Sequence, residues 1–463
     1  MTGQDLRRFL DDYSSAHSED VLVIDAPVSL DQDVSAVVWE LAADGRHPLL
    51  RFTDVQGAGH EVVTNMFASR RRIERMIGAE EGRLHQRFEH LAGDPQPLLE
   101  VDTGPVLEQV VTGNDIDLRD LPLLTHFATD LGPYITSGVV VAEDPVTRCG
   151  NLSYHRALPA SATSLGTSLH SRGDLWRLLD AWRARGEPMP VAMVIGAHPL
   201  FMLAASSRIP LDVDEREIAG GLFGEPLEVV CTPTHGLRVP ASAEYVLEGV
   251  IDADASAEEG PFGEFTGYSS DRSTHNRFDV QAVLHRDDPL WVDVVGGNSE
   301  EHLNLARVPR ESEMDARLRA RFPSVTRIHY PNSGSHFHCY VAVDQRRPGE
   351  ARQVMLALLG WDPYVKTVVA VDPDVDCTDN SEVLWALATH FQPDRDLFTV
   401  DGLPGSPLDP SSTTGGTTSR LALDATRGPG FDAVRIVVSA DARTRAAAIL
   451  DDLDDLDTAR PDA

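Results

Sequence analysis

Hydrophobic and polar positions follow two periods along the chain. Leu6, Phe9 and Leu10 fall at i, i+3 and i+4, the spacing of an amphipathic helix. The apolar run Val21–Ile24 predicts a strand, Val34, Val37, Val38 and Leu41 a second helix ending near Gly45. Leu49–Phe52 predicts another strand and 69–76 another helix. Such alternation predicts a small mixed α/β domain at the start of the chain. The middle differs: 136–141, 192–195, 227–231, 278–284 and 290–295 are short β-branched runs between Gly, Pro and Asp turns, a pattern of barrels and sandwiches. Helices are predicted to interrupt it at 175–183 and 241–248. The last third returns to alternation, with helices at 354–359 and 382–389 and a strand at 365–371. The Gly-, Pro-, Ser- and Thr-rich stretch 402–419 predicts a loop, and 434–438 a last strand. An acidic helix, 441–456, closes the chain with Ile449, Leu453 and Leu456 on one face.

At 463 residues the chain is long enough for about three domains. A hydrophobic share of 42% and a charged share of 24% exclude a disordered chain. Its 73 acidic residues against 40 basic ones give a formal charge of −33, which repels phosphate backbones and anionic lipid. Nucleic acid and membrane surfaces are therefore excluded as expected partners. The opening MTGQDLRRFLDDYSS has no apolar core of a signal peptide, and the most apolar stretch, 190–205, is shorter than a membrane span and broken by His198 and Pro199. Cys149, Cys231, Cys339 and Cys377 lie far apart, as reduced thiols of a cytoplasmic protein do. Lys366 is the sole lysine, every other one of the 40 basic residues being arginine.

Several chemistries drop out. The dinucleotide fingerprint, the phosphate-binding P-loop, the nucleophile elbow and the H-E-x-x-H zinc motif are absent. Asp372, Asp374 and Asp376 begin like a calcium loop, but Cys377 stands where that loop needs glycine and Val383 where it needs glutamate. His336 and His338 alternate on a strand predicted over 335–343 and read as strand packing.

Two segments carry candidate chemistry. In Glu259-Gly-Pro-Phe-Gly-Glu264 the glycines and proline fix a tight backbone that brings two carboxylates near one point. Carboxyls sharing a partly buried site cannot both ionise cheaply, and one then serves as proton donor at neutral pH. In Asn151-Leu-Ser-Tyr-His-Arg156 an arginine suits capture of a carboxylate. Together Arg156, Glu259 and Glu264 give an acid substrate an anchor and a proton source.

With these residues in view the chain resembles the UbiD-type decarboxylases, which use prenylated FMN. The resemblance runs through 5–57, Val63-Thr-Asn-Met-Phe67, the N-x-x-x-x-R segment from Asn151 to Arg156, Val239-Pro-Ala-Ser-Ala-Glu-Tyr-Val-Leu-Glu-Gly249, the E-x-x-x-x-E segment from Glu259 to Glu264, and Val365-Lys366 through Leu384-Trp385-Ala386-Leu387-Ala388-Thr389. It implies an N-terminal α/β domain over 1–115, a central split β-barrel carrying flavin over 116–320, and a C-terminal α/β domain with a closing dimerisation helix over 321–463. Arg156 would hold the substrate carboxylate over the flavin, ion-paired to Glu259, and Glu264 would deliver the proton that replaces CO₂. Asn151, His170 and Glu215 occupy the places of ligands for Mn²⁺ or Mg²⁺, with K⁺ nearby. Tyr154, His155, Ser168, Leu169 and Arg172 would line the cofactor and Lys366 would touch its phosphate. The family usually has glycine where Ser153 stands and tyrosine where His155 stands.

The implied activity is non-oxidative decarboxylation of an α,β-unsaturated or (hetero)aromatic acid, in the cytoplasm, by a homodimer or larger homo-oligomer supplied by a flavin prenyltransferase. A carboxylating enzyme on the same fold and a non-catalytic flavin-binding accessory subunit are the alternatives. Substrate specificity is expected from 296–302 and 391–404.

Overall fold

The computed structural model describes residues 3–169, 173–210, 212–412 and 416–458. They form two compact units, residues 1–426 and 427–463. Within the first unit three sheets carry most of the architecture.

The opening helix, Leu6–Ala16, is capped by Asp5, whose carboxylate accepts from the Arg7 and Arg8 amides. It buries Leu6, Leu10 and Tyr13, as the i, i+3, i+4 pattern requires. Val21–Ile24 pairs in parallel with Leu49–Phe52, which pairs with Val62–Thr64. The fourth strand of this sheet comes from far along the chain: Trp291–Val292 runs parallel to Val62–Thr64. The strand expected at 290–295 thus belongs to the N-terminal sheet and is only two residues long, because two residues are all that pair.

The large central sheet is antiparallel throughout. Its strands run in the order Ala157–Pro159, Ser164–Thr167, Asn276–His285, Tyr245–Ser256, Met189–Ile195, Val139–Glu143 and Gly150–Tyr154, with Gln109–Thr112 added on Asn276–His285. Met189–Ile195 is buried nearly throughout, which its unbroken apolar run anticipates. The helix expected at 241–248 is not there. Tyr245–Ser256 is a strand lying between two others, and their pairing outweighs the helical reading of the Ala-Ser-Ala-Glu approach.

A third sheet, ordered Val325–His329, His338–Val343, Thr367–Val371, Thr417–Ala425 and Leu397–Pro404, forms the last part of this unit. Two of its strands occupy the ends of the stretch expected as the loop 402–419; only 405–412 and Gly416 among its described residues are irregular. His336 lies before the strand that starts at His338, so the two histidines do not alternate on it.

The long helix Glu300–Arg321 binds the parts together. Near its start, buried Glu301 accepts from the Thr64 hydroxyl and the Asn65 and Phe67 amides. Near its middle, Arg310 donates to Asp362 at 2.7 Å and Glu311 pairs with Arg70. Among the described residues no helix is long and apolar enough to cross a membrane.

The second unit contains the helix Ala440–Thr458, close to the expected 441–456. The strand expected at 434–438 is absent: the segment pairs with no strand among the described residues, and Val434 and Ile436 are 91% and 96% exposed.

Candidate active site

Arg156 sits between the strands Gly150–Tyr154 and Ala157–Pro159, its backbone carbonyl taken by the Thr167 hydroxyl at 2.8 Å. Its guanidinium forks onto Glu259, Nε to Oε1 at 2.5 Å and Nη2 to Oε2 at 3.3 Å. Nη1 donates to Glu264 Oε1. Nη2 also reaches the Arg272 carbonyl at 3.1 Å. The Phe262 ring lies 4.9 Å from the guanidinium carbon, adding a cation–π contact. Burial works against the Arg156 cation, but the two carboxylates outweigh it and raise its pKa.

The carboxylates are held by their loop as the glycine and proline spacing predicted. The Gly260 amide donates to the Tyr134 hydroxyl at 3.0 Å, and the Gly263 amide to Asp130 Oδ1 at 2.9 Å. The Glu259 side chain is fully buried, while Glu264 keeps slight exposure. Burial, then the nearby Glu259 charge, pushes the Tyr134 phenol far up, so it stays a neutral donor and acceptor. Asp130 is likewise raised, by burial above all.

Arg156 and Glu264 open onto a cavity of about 710 Å³. Tyr154, His155, Ser168 and Leu169 line it. The Tyr154 hydroxyl donates to the Met202 carbonyl at 2.8 Å. The two departures from the family pattern meet: Ser153 Oγ and His155 Nε2 lie 2.9 Å apart, and His155 Nδ1 lies 2.9 Å from the Ser168 carbonyl.

Of the segments expected to set specificity, Gly296 and His302 reach the cavity. The stretch 391–404 does not; Ser406, Pro407 and Leu408 line it instead. Sequence reasoning also missed Phe262, Thr274 and Tyr364 on its wall. Only Phe262, lying between the two glutamates, carried a local signal. His302 Nδ1 donates to the Gly297 carbonyl at 2.7 Å, and burial lowers its pKa despite the neighbouring Glu264 charge.

A second cluster lies behind the strand Gly150–Tyr154. Glu215 opens the helix Glu215–Phe223, placed by the Asp214 cap. Its carboxylate accepts from Asn151 Nδ2 at 3.0 Å and from the Leu152 amide at 3.1 Å. Burial raises Glu215 to about 8. Asn151 Oδ1 is buried with no hydrogen-bond partner. An orphaned amide oxygen beside a desolvated carboxylate is a donor set that fits a hard divalent cation. His170 and Arg172 lie outside the described residues. Among the described residues no group of three or more His, Cys, Asp and Glu side chains stands ready for a metal. Lys366 Nζ donates to Asp409 at 2.7 Å and Ser411 at 2.8 Å, just past the 406–408 segment of the cavity wall.

Models of the N-terminal, Rift-related and C-terminal domains of 3-octaprenyl-4-hydroxybenzoate carboxy-lyase match residues 15–91, 98–299 and 303–425. The chain belongs to the UbiD family. It is therefore a carboxy-lyase, a UbiD-type decarboxylase. An anhydromevalonate phosphate decarboxylase of Methanosarcina mazei is 31% identical over 404 residues, which cover 86% of this chain and 92% of that protein. The UbiD-class enzyme HmfF of Pelotomaculum thermopropionicum, solved with FMN, superposes with a TM-score of 0.89 at 32% identity over 96% of this chain and 99% of that one. The vanillic acid decarboxylase of Sedimentibacter hydroxybenzoicus superposes with a TM-score of 0.85 at 27% identity, covering 98% and 99%. These likenesses bear out the three-part UbiD architecture expected from the sequence.

Proposed function

We propose that this UbiD protein decarboxylates an α,β-unsaturated or (hetero)aromatic acid without net oxidation, using prenylated FMN together with Mn²⁺ or Mg²⁺ and K⁺. The observation that carries this reading is the buried Glu259–Arg156–Glu264 cluster facing a cavity of about 710 Å³. The flavin bound by HmfF supports a flavin here.

Arg156 neutralises the substrate carboxylate and orients it, while Glu259 fixes the guanidinium from behind. When bound, the modified flavin supplies the electron sink that makes loss of CO₂ from an sp² carbon feasible. Glu264 then protonates the carbon that lost CO₂. Asn151 and Glu215, with His170, would hold the divalent ion, and Tyr154, His155, Ser168, Leu169, Arg172 and Lys366 would form the rest of the cofactor site. The division 1–115, 116–320 and 321–463, the cytoplasmic location, the homo-oligomer and supply of cofactor by a flavin prenyltransferase complete the proposal.

The test is co-expression with a flavin prenyltransferase, then CO₂ release from a panel including anhydromevalonate phosphate and vanillic acid. Wild type is expected to retain prenylated FMN and turn over at least one acid; Glu264→Gln is expected to keep the cofactor and lose turnover. Full activity in that variant would remove Glu264 from the role of proton donor.

A further inference from the structure

Glu264 faces two cavities. Besides the one of about 710 Å³ it lines a second of about 410 Å³, bounded by Ser35, Ala36 and Trp39 of the helix Asp33–Ala43, by His126 and Phe127, and by Tyr268 and Asn298. Gly263 and Gly297 line the second cavity and leave no room for a side chain against Phe127. A Cβ on Gly263 would stand 2.6 Å from the Phe127 ring, and one on Gly297 3.0 Å from it. On the outer side Trp39 and Tyr268 are 38% and 64% exposed, so the second cavity opens to solvent.

The second cavity also has a polar floor. His126 lines it, and its side chain is fully buried. Nε2 lies 3.0 and 3.1 Å from the two Asp293 carboxylate oxygens, yet Nδ1 is buried with no hydrogen-bond partner. A buried ring nitrogen left without a partner is costly, and an ordered water removes the cost. Asp293 in turn accepts from the Thr136 hydroxyl at 2.9 Å, and Thr136 lines the first cavity.

Decarboxylation consumes one proton per turnover. The electron pair left on carbon when CO₂ departs takes the proton of the Glu264 carboxyl, and the resulting carboxylate must regain one from water before the next cycle. Cofactor and substrate or product fill the first cavity, so that face is blocked when the proton is needed. We propose that the second cavity is the water port that re-protonates Glu264, with His126 Nδ1 anchoring its innermost water. This rests on Glu264 being the proton donor.

Crystals of the wild-type holoenzyme without substrate are expected to show ordered waters in the second cavity linking His126 Nδ1 to the Glu264 carboxylate; a dry cavity would overturn the port. Ala36 is exposed on its helix and lines this cavity, so Ala36→Phe plugs the port at a site that tolerates bulk. With the acid turned over by wild type, that variant is expected to keep its single-turnover rate and kcat/KM. Its steady-state kcat should fall about tenfold, with a larger solvent deuterium isotope effect, as proton resupply becomes limiting. Wild-type kcat and isotope effect in Ala36→Phe, or an equal loss of the single-turnover rate, would refute the port. Glu264→Gln run alongside separates the two ideas: its inactivity beside an unaffected Ala36→Phe sinks the port alone, whereas its full activity sinks the proton-donor role.

Discussion

Replacing Gly166 by alanine tests how tightly the site depends on the strand Ser164–Thr167. Its α-carbon faces the catalytic loop so closely that an added Cβ would stand 2.0 Å from the Glu258 carbonyl oxygen and 3.4 Å from the Glu259 Cβ. Ordinary contact begins near 3.4 Å, so strand and loop must separate by about 1.4 Å, and the loop carries Glu259 with it. Overpacking of this kind costs about 1–3 kcal/mol of stability. A shift of about 1 Å in a group that positions Arg156 costs about 10²-fold in kcat, or about 2.7 kcal/mol of transition-state stabilisation. Gly249 provides a matched control: its Cβ would meet the Asp279 carbonyl oxygen at 1.9 Å, in the same sheet but against a strand that carries none of the three catalytic residues. Both variants should unfold at lower temperature by circular dichroism. In the folded fraction only Gly166→Ala should lose CO₂ release, with cofactor content unchanged. Equal kcat in the two variants would show that Glu259 does not have to be held where it stands.

Three further outcomes follow from buried charge and exposed surface. Burial raises Glu301 to about 7 from an ordinary 4.5, so between those values the native state holds a proton that the unfolded chain has released. Its contribution makes stability fall as pH rises through that window, and Glu301→Gln should remove this slope from urea midpoints compared at pH 5 and pH 7.5. Arg216 is fully buried and pairs with both Asp214 and Glu143, so Arg216→Met strands the buried Asp214, while Glu143 keeps Arg148 and Arg238. It should destabilise by about 3–5 kcal/mol in chemical denaturation. A chain ending at Thr426 loses the exposed Val434, Ile436, Val437 and Val438 and should keep its unfolding temperature while light scattering reports a smaller assembly.

The meeting of Arg156, Glu259 and Glu264 was legible because these residues sit in short local patterns. Glycines and a proline between Glu259 and Glu264 leave the loop few paths, and Arg156 stands five residues past Asn151 in one short segment. What escaped comes from far along the chain. Tyr364 stands three residues past the helix Glu350–Trp361 with no local signal, and 406–408 lies in a stretch readable merely as loop. The 241–248 segment went wrong for a related reason. Local propensity favours a helix there, but Tyr245, Val246 and Leu247 are claimed by strands on both sides. At 434–438 the error reverses: a β-branched run carries strand propensity, but strand structure needs a neighbour.

The two departures from the family pattern are better understood as one. A backbone carbonyl only accepts, so the ring nitrogen of His155 facing Ser168 carries a hydrogen. The other nitrogen meets the Ser153 hydroxyl two residues back on the same strand. Glycine at 153 would leave that nitrogen without this partner, and tyrosine at 155 would have no second nitrogen for the serine to meet. The imidazole is thereby fastened at both ends to the strand that delivers Arg156 and to the segment facing the cavity. Neither bond touches Glu259 or Glu264, so the double change alters the cavity wall while the arginine and its two carboxylates keep their geometry. With both His155 nitrogens engaged by the protein, Glu264 is the carboxylate bonded to Arg156 that lines the cavity, as the proposed proton donor must.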